Sequence, residues 1–305
     1  MHDSYNLFIQ ETEGLPLFFQ PWWLEAATRG DWGAACVVEE DTVHAVLPYH
    51  KWRRAGFTFL SNPPLTPRLG LHFAHAYTLH EQARLTELVH AQLPRHSYAE
   101  FHCHYGYDYW QPLGWLGWEQ TTLYSYQLQP APDANIHRQR FNQNTQRNLR
   151  KAEVQLTVRE LTDVFAFYDL VQASFERRKA EVPYSLRLLT QLDTAAAAHD
   201  ARHLLFAVDA AGRLHAAAYL VHDAQTVYYL AGGMEPALKE SGAMTLLLWH
   251  AIQWASETGR AFDFEGSADP GIARFFQGFG ARPRPYHCVW HYGSNLLRWL
   301  HELRQ

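Results

Sequence analysis

Two carboxylates alternate with two phenylalanines in the run Phe262-Asp263-Phe264-Glu265, which puts Asp263 and Glu265 on one face of a strand that otherwise reads as buried. A buried acid needs a partner or a task. Either group could accept a proton in general acid–base work, and a salt bridge to Arg274 or Arg282 is the competing use. Tyr228 and Tyr229 sit one on each face of a preceding strand, so one phenol could face a cleft and the other pack in the core. Gly232 and Gly233 follow, where a bare backbone would admit a ligand closely or simply make a turn. Arg147, Arg150 and Lys151 fall three and four apart, along one helical face that could grip a diphosphate or serve as an ordinary charged surface. Lys239 and Gly242 precede a helix start whose amides could receive a phosphate, with capping by Ser241 as the alternative. Lys51 lies in a basic turn with His50, Arg53 and Arg54, either reaching a phosphate or decorating a solvated hairpin. No GxSxG motif is present, and Cys36, Cys103 and Cys288 carry no local nucleophile motif. His102 and His104 are i, i+2 strand neighbours without a recognisable third ligand, so no metal is expected.

The elements that must position these residues can be read from periodicity. Helices are expected over 21–28, over Leu79–Leu93 ended by Pro94, and over the polar stretch containing Arg147–Glu153. Others are expected from Thr162 to Arg178, after Pro183, from Gly242 to Thr258, through PGIARFFQGFG and in NLLRWLHEL at the end of the chain. Three β-rich runs, ACVVEE, TVHAVLPYHKW and FTFLSNP, suggest a meander in the first half. YAEFHCHYGY alternates, with Glu100, His102 and His104 on one side. Residues 203–233 read as a second three-stranded meander, followed by a helix and the strand AFDFEGS, a crossover arrangement. Both halves therefore mix a meander, a helix and a later strand. The proline-bearing stretch 129–134 marks the expected junction, giving domains 1–129 and 130–305 with an α/β fold of mixed sheets.

At 305 residues, with 47% hydrophobic and 19% charged side chains, the chain is expected to fold throughout, as two domains. A net charge of −5 offers no field for a nucleic-acid backbone, so DNA is not an expected partner and any phosphate contact must be local. The few scattered cysteines, the absence of a signal-like start and of any long apolar run point to a cytoplasmic protein without a membrane span.

Four local stretches, FFQPWW, RNLRKAE, LAGG and DFEGSADPGIARFFQGFGA, together with the order of the second half, resemble the GNAT superfamily and within it the Fem-like tandem GNAT transferases of bacteria. The resemblance spans nearly the whole chain. It implies two tandem GNAT-like domains and an N-acyltransferase that passes an acyl or aminoacyl group to a primary amine by direct attack in a second-domain cleft. It implies acyl-CoA or aminoacyl-tRNA as donor, and a small-molecule or peptide amine, such as a peptidoglycan precursor, as acceptor. By the same resemblance Gly232 and Gly233 line the donor cleft, and Lys239 with Gly242 form a degenerate pyrophosphate loop. Two departures stand out: Phe276 and Gln277 follow Phe275 where Fem proteins read Phe-Lys, and no long helical arm interrupts the chain. The departure at Phe276 motivates an alternative, a non-catalytic tandem GNAT module that binds a peptide or glycan.

Overall fold

The computed structural model describes residues 2–267 and 269–303. The chain divides into two compact units, one holding the residues up to Leu123 together with those from Pro285 onward, the other Tyr124–Arg284. The division therefore falls at Tyr124 rather than near Pro130, and the last stretch belongs with the first unit. Alternation alone does not reveal which sheet a strand joins.

In the first unit, helices α1 (His2–Glu11) and α2 (Pro21–Thr28) precede strands β1 (Trp32–Glu39), β2 (Thr42–Arg54) and β3 (Phe57–Ser61), which form an antiparallel meander. Glu40 and Asp41, both at positive φ, make the tight β1–β2 turn whose twist suits a hairpin. A short strand β4 (His72–Phe73) pairs β2, and helix α3 (Leu79–Gln92) leads to β5 (Tyr98–His102), which pairs β3 in parallel up to Ser61 opposite Glu100. Leu60, Leu85, Val89, Ala99 and Phe101 fill the core between them. Thr78 and Glu81 close a capping box at the start of α3, exchanging side-chain and backbone hydrogen bonds. Helix α4 (Gln111–Trp115) completes this stretch, and β6 (Glu119–Leu128) follows it.

The second unit opens with helices α5 (Asn135–Arg138) and α6 (Gln143–Gln155), strand β7 (Leu156–Glu160), and helices α7 (Val164–Arg177) and α8 (Leu186–Ala198). Strands β8 (Arg202–Asp209), β9 (Leu214–His222) and β10 (Thr226–Met234) then form the expected meander, with β7 antiparallel to β8. Helix α9 (Ala243–Glu257) crosses over to β11 (Ala261–Asp263), which pairs β10 in parallel and the end of β6 antiparallel. Every residue of α9 from Ala243 to Trp249 is buried, so this helix is core on nearly all sides. Each fully buried Leu there contributes about 1.5–3 kcal/mol. Helix α10 (Pro270–Gln277) follows, then β12 (Arg282–Tyr292) and α11 (Asn295–Glu302). From Cys288 to Tyr292, β12 pairs β5 antiparallel, which binds the last part of the chain to the first unit.

The strand expected through AFDFEGS ends at Asp263, because Glu265 and Gly266 both take positive φ and turn the chain sharply. The strand expected to carry His104 ends at His102. His104 instead stacks on His72, ring centroids 4.6 Å apart, and meets the Leu71 carbonyl at 2.8 Å.

Candidate active site

Strands β10 and β11 run side by side only from Thr226–Ala261 to Tyr228–Asp263. Beyond Tyr228, β10 continues to Met234 paired only to β9 among the described residues, so its other edge has no strand partner there. Within that stretch the β9–β10 register slips between Tyr229 and Ala231, a bulge that carries Leu230 as its extra residue. A bulged residue leaves the ladder locally, freeing main-chain polar groups for other partners.

At the far end of β10 lies a cavity of about 280 Å³, lined among others by Met234, Thr245, Ile272 and Phe275. The start of α9 faces it. Its N-cap, Gly242, is left-handed and offers no side chain to the helix amides. A Cβ on Gly242 would stand 2.4 Å from the Asn148 carbonyl oxygen, so glycine is required both by φ and by the close approach of α6. The expectation that Ser241 caps the helix finds only a long contact, from the Ala243 amide to Ser241 Oγ at 3.4 Å. A helix start without a capping side chain retains amides and a positive dipole end for an anion.

His215 lines the same cavity and gave no signal in the sequence, being one residue of the apolar run LHAAAYLV. Its Nε2 lies 3.2 Å from Asp209 Oδ2, and its buried Nδ1 has no hydrogen-bond partner. Backbone hydrogen bonding by Arg213, helped by the His215 and Arg213 side chains, holds the Asp209 carboxyl well below the usual carboxylate range. A carboxylate so held keeps the imidazole oriented.

The two carboxylates separate in role. Asp263 is fully buried and accepts from Ser125 Oγ and Gln127 Nε2, each at 2.5 Å, and from the Glu265 amide at 2.8 Å. Ser125, Gln127 and the Glu265 amide thus hold the carboxylate, and neither Arg274 nor Arg282 donates one of these bonds. Glu265 does not share its face, because Glu265 has left the strand at φ +63°. That backbone costs about 1–2 kcal/mol for a residue with a Cβ. The Asp263 hydrogen bond to the Glu265 amide helps hold it. Glu265 thus stands two residues past the end of β11, where the pairing with β10 has ended.

Tyr228 and Tyr229 also divide. The Tyr228 hydroxyl donates to Asp223 Oδ2 at 2.8 Å and so ties down the β9–β10 turn. Tyr229 lies on the crevice side, its ring centroid 6.2 Å from that of Phe276 and its hydroxyl 3.5 Å from Met244 Sδ. Burial pushes its phenol well up, which keeps the hydroxyl protonated. Phe276 is buried between Tyr229 and Phe264, so the position that departs from the Fem pattern is a wall of the crevice. At Gly232 a Cβ would meet the Tyr229 hydroxyl at 1.9 Å, and at Gly233 it would meet the α7 backbone at 2.3 Å. The room these glycines leave is taken by the protein itself.

The basic residues of α6 are dispersed. Lys151 donates to the Glu240 carbonyl at 2.6 Å, tying α6 to the loop before α9. Arg147 donates to Asn144 Oδ1, and Arg150 borders a separate depression with Gln146 and Arg138. Lys239 is exposed on the cavity rim, beside Glu240. Lys51 is exposed on β2 of the first unit, away from all the residues just described in sequence and in unit. In that unit Glu100, His102 and Cys288 bring potential ligand atoms within 4.8 Å of one another. They are already engaged: Tyr98 donates to Glu100 at 2.5 Å, His102 lies 3.6 Å from Glu100, and burial pushes the Cys288 thiol up to about 12.

A parallel strand pair that parts early, a bulge just beyond and a helix start after it are arranged as in a GNAT-type fold. Residues 136–275 match the family model described as an acetyltransferase (GNAT) domain. The architecture is the Fem-like one, two GNAT-like domains in tandem. The structure of FemX matches with a TM-score of 0.70 at 13% identity, over 94% of this chain and 95% of that one. L-PGS from Bacillus licheniformis matches at 0.55 and 12% identity, over 96% and 91% of the two chains. A tandem GNAT protein from the clavulanic acid biosynthesis pathway matches at 0.55 and 10% identity, over 96% and 95%. No curated protein sequence matches the chain. No helix among the described residues is long and apolar enough to cross a membrane.

Proposed function

We propose that the chain transfers an acyl or aminoacyl group from a phosphate-bearing donor to a primary amine, with the reacting carbonyl in the crevice beyond Tyr228. The observation that carries this reading is the length mismatch of two strands: β11 stops at Asp263 while β10 runs on to Met234 and ends beside the start of α9. The donor's phosphate takes the α9 amides, with Lys239 on the rim, and its extended arm lies along the open edge of β10.

The amine nitrogen attacks the donor carbonyl, and the oxygen that gains charge is met by main-chain N–H at the Leu230 bulge. Glu265, where the strands part, receives the proton the amine must lose. Collapse of the tetrahedral centre forms the amide and breaks the bond to the leaving sulfur or oxygen, which receives the proton that Glu265 took from the amine, relayed through the Tyr229 hydroxyl so that Tyr229 stays protonated. Asp263 is a positioning residue that fixes the turn carrying Glu265. No covalent intermediate on the protein is needed, and holding the two reactants together supplies much of the rate.

The donor is a CoA thioester or an aminoacyl-tRNA. The bare helix start suits the diphosphate of the first, and the shared fold with FemX and L-PGS favours the second together with a peptide or lipid amine. Incubating the purified protein with labelled acetyl-CoA, or with labelled aminoacyl-tRNA, and a set of amines tests the reading. Labelled amide that depends on Glu265 supports it, and binding without turnover from either donor would favour the non-catalytic module.

A further inference from the structure

A second cavity in the same unit, about 400 Å³, shares none of its lining with the donor cavity. Arg140, from the segment between α5 and α6, and Arg282 and Arg284, from the start of β12, line it, and no Asp or Glu is among the residues that do. This concentration of guanidinium groups stands out in a chain whose net charge is −5.

The cavity is built rather than incidental. Arg284 Nη1 donates to Gln127 Oε1 at 2.6 Å, and Gln127 Nε2 donates to the buried Asp263, so this guanidinium is oriented from the core. Gly280, at φ +72°, lets the Arg140 stem pack against it, a Cβ there standing 2.8 Å from Arg140 Cβ. His137 is 4% exposed, and its buried Nδ1 finds no hydrogen-bond partner. Arg140 and Arg282 are exposed and make no ion pair among the described residues. Pro130 and Pro132 give the remaining wall an apolar, rigid surface.

We propose that this cavity is an anion site for the phosphate group of a small molecule, a phosphate monoester or a diphosphate. Three guanidinium groups exceed what a single carboxylate can neutralise, and their planar forks match phosphate oxygens in bidentate fashion. The volume lies in the range of small-molecule sites, and the proline wall suits an apolar or flat body attached to the phosphate. The site is independent of the donor reading, since it uses none of those residues.

Titration calorimetry of the full chain with inorganic pyrophosphate, and separately with inorganic phosphate and acetate, tests the proposal. Pyrophosphate is expected to bind more tightly than phosphate, and acetate not measurably. The double variant Arg140→Gln, Arg282→Gln changes only exposed side chains and is expected to weaken pyrophosphate at least tenfold, while its Tm without ligand stays as in the parent. Should the pair fold poorly, Arg282→Gln alone carries the test, with a weakening of at least threefold expected. Absence of pyrophosphate binding, or binding unaltered by these substitutions, overturns the proposal; the second result would place the anion elsewhere, such as at the start of α9.

Discussion

The two units repeat one order of elements, an antiparallel meander, a helix, and a strand returning parallel to the last of the meander, yet among the described residues the meander strand outruns its parallel partner only in the second. In the first unit, β3 ends at Ser61, still paired to Glu100 of β5. In the second, β10 outruns β11 from Tyr228 to Met234. The helices differ in the same sense. Thr78 and Glu81 occupy the amides at the start of α3, whereas Gly242 leaves the start of α9 without a capping side chain. The same topology thus leaves a fully paired strand end in one place and an unpaired strand edge, the proposed donor site, in another. What separates them is how far one strand continues and whether a side chain fills the helix end.

Substitutions sharpen or break this contrast. The largest effect is expected at Glu265→Gln, which should lower turnover about 10²-fold or more while Tm stays within error; an unchanged rate in a transfer assay would remove Glu265 from the mechanism. Asp263→Ala leaves the donors of Ser125, Gln127 and Glu265 without their buried acceptor and should cost about 3 kcal/mol or more, read as a fall in chemical-denaturation midpoint. Gly233→Ala drives a methyl into the α7 backbone and should cost about 1–3 kcal/mol, again by denaturation. Thr78→Ala, at the matching place in the first unit, should cost about 1 kcal/mol and leave turnover unaltered.

A pH series separates the units further. Burial pushes His104 down to about 3 and His291 down to about 4, both in the first unit. These folded values lie below the ordinary histidine value of about 6.5, so the neutral forms contribute stability that is present above that pH. It is lost as pH falls from about 6.5 through 4 towards 3. Denaturation midpoints measured down this window should decline more shallowly in a His104→Asn variant than in the parent.

Much of this was legible in the sequence, since the second meander, helix α9 and strand β11 follow directly from period-two and helical spacing and from the Gly259 stop. The parting of β10 from β11 next to Tyr229 agrees with the GNAT resemblance. The roles of Asp263 and Glu265 were not legible as a pair, because strand alternation presumes regular φ and a left-handed glutamate breaks it. Gly232 and Gly233 read as ligand-facing because a sequence does not show that Tyr229 folds over one and α7 packs on the other. His215 was hidden because its pairing with Asp209 spans a hairpin turn and its cavity neighbours come from distant segments. The return of β12 to β5 was hidden for the same reason, since strand partners far apart in sequence leave no local trace.

The account rests on a donor lying along the open edge of β10 with its phosphate at α9. Backbone amide NMR shifts, followed during titration with acetyl-CoA and in parallel with a charged tRNA acceptor-stem mimic, test it most directly. At least one of the two should move Ala243–Thr245 and Leu230–Gly232 together, with no matching change at Glu81–Gln82 of α3. Shifts confined to the first unit, or absent from both β10 and α9 with either donor, would contradict the account.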